Sequence, residues 1–108
     1  MDIEQILKAL GEPSRFKIYL CLLERKHCVR SLSKKLGISE SAVSQHLKVM
    51  REAGLVYGEK YGYHTHYLPH QGAIDGLVQV FSQMQQRSAA LDRDTKNCQC
   101  EFRGEEEK

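Results

Sequence analysis

Residues 29–50 carry a helix–turn–helix pattern, and few folds accommodate it. Leu32 and Leu36 lie four residues apart and therefore share one face of a helix. Gly37 can adopt the left-handed conformation that ends a helix, and Ser39 is a favourable N-cap for the next one. The pattern predicts two short helices joined by a tight turn.

The second of these helices has two chemically different faces. Val43, Leu47 and Met50 recur at helical spacing and predict a buried stripe. The opposite face carries short polar and basic side chains: Ser41, Ser44, Gln45 and Lys48. Such side chains suit a helix in the DNA major groove, where hydroxyls and amides meet base edges and lysine meets phosphate. Taken alone, the stretch also fits an ordinary helical hairpin with a solvated face.

Two predicted strands follow this helix. Residues 55–60 and 64–68 are rich in aromatic and β-branched residues, and Tyr61-Gly62-Tyr63 between them predicts a turn. A basic, aromatic β-hairpin directly after a recognition helix is typical of a wing. Lys60, Tyr63 and His64, with Tyr61, are positioned to reach the backbone or minor groove of DNA. The alternative is a hairpin that contacts only solvent.

The remaining helices frame this unit. Residues 3–10 and 13–25 predict two helices, and the second is apolar around much of its circumference, which favours a central buried helix containing Cys21. A last helix is predicted from Gln71 to about Asp94. Its apolar residues form a narrow seam that, with the first helix, predicts the interface of a homodimer: Ile3, Ile6, Ile74, Leu77, Phe81 and Met84.

The totals set limits on the class of protein. The 108 residues suffice for one domain, predicted over residues 1–94, with a flexible tail over 95–108 that carries Cys-x-Cys. No apolar run is long enough to span a membrane, and the acidic start is unlike a signal peptide, so we expect a cytoplasmic protein without a membrane partner. No nucleophile–base pairing or phosphate-binding glycine loop indicates an enzyme, and we expect no organic cofactor. The net charge of +2 is too small to establish nucleic-acid binding by itself.

The chain resembles the ArsR/SmtB family of bacterial winged-helix repressors over roughly residues 5–92. Four segments carry the resemblance: Leu10–Arg15, Leu36–Ser39, Val43–Lys48 and Arg51–Val56. The resemblance implies a mainly α winged helix-turn-helix with about five helices and a two-stranded β wing. It also implies a homodimeric repressor that binds double-stranded operator DNA and is released from it by an effector.

The effector sites of the family are only partly matched. One family site is a Cys-Val-Cys-Asp motif at the start of the third helix, where this chain has Cys28-Val29-Arg30-Ser31 and lacks the second thiol. A second site, of the zinc, nickel or cobalt type, uses Asp and His on the last helix, which here carries Asp75 but no histidine. A third places cysteines near or beyond the end of that helix, and Cys98-Gln99-Cys100 is similar in kind.

We therefore expect an effector site at Cys98 and Cys100, with Cys28 as a third thiol. Clustered thiolates suit arsenic, antimony, cadmium or lead, and two Cys-x-Cys pairs meeting across a dimer axis would also suit zinc. Two alternatives stay open: the same thiols could sense oxidation or sulfide, or the chain could be an interaction module without an effector. His64, His66 and His70 could bind a metal, but we favour wing residues near phosphate or the sheet surface. His27 beside Cys28 could be a further ligand, but we favour an exposed residue at a helix end.

Overall fold

The computed structural model describes residues 2–94 and residue 100. Within them the chain forms five helices and one antiparallel sheet of two strands, as predicted. The elements in chain order are α1 (Ile3–Leu10), α2 (Pro13–Glu24), α3 (Val29–Leu36), α4 (Glu40–Glu52), β1 (Val56–Tyr61), β2 (His64–Pro69) and α5 (Gln71–Ala89). The last helix therefore ends at Ala89, short of the predicted Asp94. None of the helices in the described residues is long and apolar enough to cross a membrane.

The junction between α1 and α2 is held by two charged side chains. Glu12 is the N-cap of α2, and its carboxylate accepts a hydrogen bond from the Arg15 backbone N–H at 2.9 Å. That hydrogen bond is the main reason that the pKa of Glu12 is lowered. The Arg15 guanidinium donates to the carbonyl of Ala9 at 2.6 Å, which satisfies an acceptor at the end of α1. The Leu10–Arg15 segment thus fixes how the first two helices meet.

The core lies where α2, α3, α4 and the start of the sheet converge. Its largest fully buried side chains come from every helix except α5, and from the start of the sheet: Ile6, Ile18, Leu32, Val43, Leu47, Met50, Leu55 and Val56. Tyr19 is also buried, and burial raises the pKa of its hydroxyl. The predicted stripe on α4 is confirmed, because all three of its members are in this core.

The prediction that α2 is a central buried helix is confirmed for only one of its faces. Ile18, Tyr19, Cys21 and Leu22 are buried, but Phe16, Leu20 and Leu23 are about half exposed. The exposed residues are spaced by four and three positions, so they form one stripe along the helix. The helix is apolar on two faces, and the single chain covers only one of them.

The turn between α3 and α4 has the predicted conformation. Gly37 has φ 69° and ψ 29°, in the left-handed region, and its N–H bonds to the carbonyl of Ser33. The Ser33 hydroxyl donates to the carbonyl of Ile38 at 2.6 Å. The Ser39 hydroxyl then accepts from the Ala42 N–H at 3.1 Å and caps α4. These contacts fix the direction in which α4 leaves the turn.

Replacing Gly37 by alanine is expected to reduce the free energy of unfolding by about 1–2 kcal/mol. A Cβ at this position would meet no atom within 4 Å, so the cost comes from the left-handed backbone alone. Asparagine tolerates this conformation better, so Gly37→Asn should cost clearly less. Urea denaturation at one protein concentration measures both variants. Equal losses for alanine and asparagine would mean that backbone strain is not the cause.

Candidate nucleic-acid interface

The polar face of α4 is exposed along its length. Ser41, Ser44, Gln45 and Lys48 are all exposed, while Val43, Leu47 and Met50 on the opposite side are buried. The apolar stripe therefore anchors the helix to the core and leaves the polar face open. Ser41 is the only one of the four with a hydrogen bond to a described side chain, a contact of 3.4 Å with the Ser39 hydroxyl. The described residues leave the other three side chains available to a partner.

The other flank of α4 contacts the α1–α2 junction. Nδ1 of His46 lies 3.8 Å from the Glu12 carboxylate, which makes an ion pair when the imidazole is protonated. Because Glu12 also caps α2, this carboxylate is placed between two helices. The junction and the core together define the orientation of the polar face.

The wing projects beside α4. In the sheet Tyr61 pairs with His64, so Gly62 and Tyr63 form a two-residue turn. Gly62 has φ 65°, which suits the first position of a tight hairpin turn. Tyr63 at this tip is fully exposed, and Lys60 and His64 beside it are exposed as well. Tyr61 next to the turn is exposed as well, so the structure places all four predicted wing residues at the free end of the hairpin.

The base of the wing is tied to the helices by backbone hydrogen bonds. The N–H of Tyr67 donates to the carbonyl of His27 at 2.8 Å, and the N–H of His27 donates to the carbonyl of Tyr67 at 3.4 Å. The ammonium of Lys26 lies 5.6 Å from the centroid of the Tyr61 ring, a cation–π contact. The segment after α2 therefore forms a one-residue bridge at the edge of the sheet.

His27 differs most from its predicted position. It is 3% exposed rather than open at a helix end, because β2 covers it. Its Nδ1 shares a hydrogen bond of 2.8 Å with the Ser31 hydroxyl, while its Nε2 is buried without a partner among the described residues. Burial lowers the pKa of His27, and the charges of Arg25 and Lys35 add to this effect. No pattern along the chain signals this burial, since it depends on the fold-back of β2.

The cysteines fall into different environments. Cys21 is buried in α2, as predicted, and Cys28 is the half-buried N-cap of α3. Cys100 is exposed, and Cys98 lies outside the described residues. Among residues 2–94 and 100, no three side chains of the His, Cys, Asp and Glu types come together as a metal site. The proposed thiol site at Cys98, Cys100 and Cys28 stays a prediction.

The three histidines of the wing and its base likewise form no cluster of metal ligands within residues 2–94. His66 packs its ring against Tyr61 with centroids 5.5 Å apart, and His70 packs against Tyr57 at 4.8 Å. His64 is exposed near the tip. These contacts agree with the interpretation of the histidines as wing and sheet-surface residues.

Only some of the residues predicted for the dimer interface are free to contact a partner. Ile6 and Leu77 are 0% and 2% exposed within a single chain, so their side chains serve its own core and are not free for a partner. Ile3 and Ile74 are half-buried. Phe81 and Met84 are 49% and 56% exposed on the distal half of α5. Periodicity alone could not separate these cases, since core and interface residues follow the same helical spacing.

The chain matches the model of one protein family and part of a known repressor. The model described as "Bacterial regulatory protein, arsR family" matches residues 12–57, which include the whole helix–turn–helix. The "HTH-type transcriptional repressor SmtB" of Mycobacterium tuberculosis strain H37Rv is 43% identical over 58 residues, which are 54% of this chain and 43% of that protein. The chain thus aligns with less than half of SmtB.

A second relative is matched over more of its length. The "Arsenical resistance operon repressor" of Bacillus subtilis strain 168 is 33% identical over 76 residues, which cover 69% of this chain and 72% of that protein.

Solved structures agree with the fold. HlyU from Vibrio cholerae, described as reduced, is 30% identical with a TM-score of 0.62, covering 74% of this chain and 84% of HlyU. Mb0332 from Mycobacterium bovis, described as a homodimeric winged helix-turn-helix DNA-binding domain, is 20% identical with a TM-score of 0.65. The alignment with Mb0332 covers 84% of this chain and 87% of that one. The family consists of regulators rather than enzymes. The described residues form five helices and a wing, and the 33% identity with the Bacillus repressor extends over 72% of that protein. The chain therefore belongs to the ArsR/SmtB family of bacterial transcriptional regulators.

Proposed function

We propose that this chain is a homodimeric transcriptional repressor that acts in the cytoplasm and binds operator DNA through α4 and the wing. The observation that carries the proposal is the two-sided character of α4. Its apolar side chains are buried and its exposed face is short, polar and basic, which is the chemistry of a helix in a major groove. SmtB and the Bacillus relative are both named as repressors, which supports repression as the effect on transcription.

Each residue of this surface is assigned a role by its chemistry and position. Ser41, Ser44 and Gln45 contact base edges, since hydroxyls and amides can both donate and accept hydrogen bonds. Lys48 on α4 and Lys60 and Tyr63 on the wing contact the phosphate backbone, with His64 beside them. The fully exposed Tyr63 at the tip is the side chain best placed to reach beyond the edge of α4.

The dimer is supported by the uncovered apolar residues of α5. Val78, Phe81 and Met84 are all about half exposed in the single chain. In a twofold dimer the same surface of each copy would cover the other. Two copies of α4 would then enter successive major grooves about 34 Å apart along the duplex.

Replacing Gln45 by alanine is expected to weaken binding to the operator by about 1–3 kcal/mol, or roughly 5- to 150-fold, because a bidentate amide–adenine contact is lost. Binding to an unrelated duplex should stay almost unchanged. Fluorescence anisotropy on DNA upstream of the protein's own gene measures this. Lys48→Gln is the matched control, since it should weaken binding to both duplexes equally. An equal loss for Gln45→Ala on both duplexes would remove Gln45 from base recognition.

We further propose that a thiophilic metal or metalloid ion, of the arsenite, antimonite, cadmium or lead type, releases the repressor from DNA. The proposed ligands are Cys98 and Cys100, with Cys28 as a third. The chemistry of paired thiolates and the arsenical resistance named for the Bacillus relative support this effector class. A thiol-redox response is the second candidate, favoured by the description of HlyU in a reduced form.

The double variant Cys98→Ser/Cys100→Ser is expected to bind DNA like the wild type and to lose its response to the effector. A coupling of about 1–3 kcal/mol predicts a 5- to 150-fold drop in DNA affinity for the wild type when effector binds. Gel shifts titrated with arsenite, antimonite, cadmium, zinc and peroxide measure it, with Cys28→Ser tested separately. A tail double variant that responds like the wild type would show that the sensor lies elsewhere. A response to peroxide but not to metal would favour the redox candidate.

A further inference from the structure

A cationic cleft lies at the start of α3, away from the polar face of α4. It has a volume of 560 Å³ and is open to solvent. We call it the α3 cleft, and seven residues line it: Arg25, His27, Cys28, Arg30, Ser31, Lys34 and Lys35. Four of the seven carry permanent positive charge, and none is acidic. The cleft is therefore a concave surface of one sign, which concentrates anions.

The positive charge of the α3 cleft is only partly neutralised. Lys35 forms an ion pair of 3.0 Å with Glu24 at the end of α2. Within the part of the chain that the structure describes, Arg25, Arg30 and Lys34 have no ion pair. Three cationic side chains are thus available to one ligand.

The backbone adds donors at the same place. Cys28 is the N-cap of α3 but makes no side-chain capping hydrogen bond, and the first turn of the helix contains no acidic residue. The N–H groups of Arg30 and Ser31 precede the first intrahelical bond, which Leu32 donates to the carbonyl of Cys28 at 3.1 Å. Among the described residues no group accepts a hydrogen bond from either N–H. The start of α3 is a set of unused donors at the positive end of a helix dipole.

His27 adds an unpaired polar atom beside the first turn of α3. It lines the α3 cleft, is 3% exposed, and has an Nε2 without a hydrogen-bond partner in the described residues. Buried polar atoms of native proteins are nearly always paired, so an orphaned one requires an explanation. Its Nδ1 is held by Ser31, and this contact positions the ring against the first turn of α3.

We propose that the α3 cleft binds a phosphate-type oxyanion, supplied either by the DNA backbone or by free oxyanion in solution. Guanidinium groups and helix N-termini both match the geometry and charge of such an anion. The first helix of a helix–turn–helix crosses the DNA backbone, which makes a phosphate of bound DNA one of the two sources.

The first arm of the test uses inorganic phosphate at constant ionic strength. In amide NMR spectra of the wild type, phosphate should cause saturable shifts of the signals of His27 and Ser31. The variant Arg30→Gln/Lys34→Gln should bind phosphate at least about tenfold more weakly, since two of the cationic donors are lost. The control Lys17→Gln/Arg87→Gln removes the same two charges from exposed positions outside the cleft and should bind like the wild type.

The second arm uses a 30-base-pair duplex and a series of salt concentrations. If the cleft holds a backbone phosphate, the cleft variant should lower the slope of log K against log salt by about 1 per lost contact, and the control should not. If the cleft variant loses phosphate binding but keeps the salt slope of the wild type, the site is assigned to free oxyanion. If the cleft variant lowers the salt slope, the site is assigned to a phosphate of DNA. The proposal is overturned if the cleft variant and the control behave alike in both arms. A wild type that binds no duplex at all would instead overturn the proposed repressor function.

Discussion

Replacing Phe81 by glutamate is expected to convert the proposed dimer into monomers and to reduce affinity for the proposed operator by a factor of about 100 or more. Phe81 is 49% exposed on α5, between the exposed side chains of Val78 and Met84. A twofold axis would bring two copies of the new carboxylate into one apolar interface, where unpaired charges are strongly unfavourable. A monomer would also reach only one half-site of the DNA.

Sedimentation or light scattering measures the dimer, and fluorescence anisotropy measures DNA affinity. Gln83→Glu is the matched control, because it introduces the same charge two residues away, on the opposite side of α5, where the side chain is exposed. The control should remain dimeric. A Phe81→Glu protein that is still a dimer, or a control that dissociates equally, would place the interface on another surface. The exposed stripe of Phe16, Leu20 and Leu23 on α2 would then be the next surface to test.

The second large effect is expected at Leu47. Its side chain is 1% exposed and lies on the buried stripe of α4 between Val43 and Met50. Leu47→Ala removes buried methyl groups and leaves a cavity, which typically costs about 2–5 kcal/mol. Because small domains have a total stability of about 5–15 kcal/mol, this is a large fraction of it.

Urea denaturation followed by circular dichroism measures the loss, at a fixed protein concentration because dimerisation adds to apparent stability. Val49→Ala on the same helix is the control. Val49 is 40% exposed, so its truncation should cost less than about 1 kcal/mol. A loss for Leu47→Ala no larger than that of the control would contradict the assignment of this stripe to the core. Specific DNA binding should fall with stability, since the stripe holds the polar face in place.

The helix–turn–helix was predictable because its signals are local. The left-handed Gly37, the Ser39 cap and the spacing of Val43, Leu47 and Met50 all act within one or two turns of helix. The polar face of α4 follows from the same spacing, and all four of its predicted contact residues are exposed. The hairpin was predictable for a similar reason, since Gly62 lies between two short runs of strand-forming residues.

The predictions that depended on long-range contacts were less accurate. His27 was expected to be exposed, but β2 returns to it from forty residues later in the chain and buries it. Ile6 and Leu77 were assigned to a dimer seam, yet both are covered within one chain. For α2 the exposure was underestimated instead, because Phe16, Leu20 and Leu23 were expected to be buried and are about half exposed. The effector thiols are untested, since Cys98 lies outside the described residues.

The helices, the turn, the wing and the exposed polar face of α4 all follow from the amino-acid sequence. These depend on backbone conformation, capping and spacing, which are set by neighbours a few residues away. Three features became clear from the packing of distant elements: which apolar faces stay uncovered, the burial of His27 with an Nε2 that no described residue pairs, and the cationic side chains from the end of α2 and from α3 that line one cleft. Burial depends on which distant elements pack together, and helical periodicity is the same for a side chain covered by its own chain as for one left open to a partner.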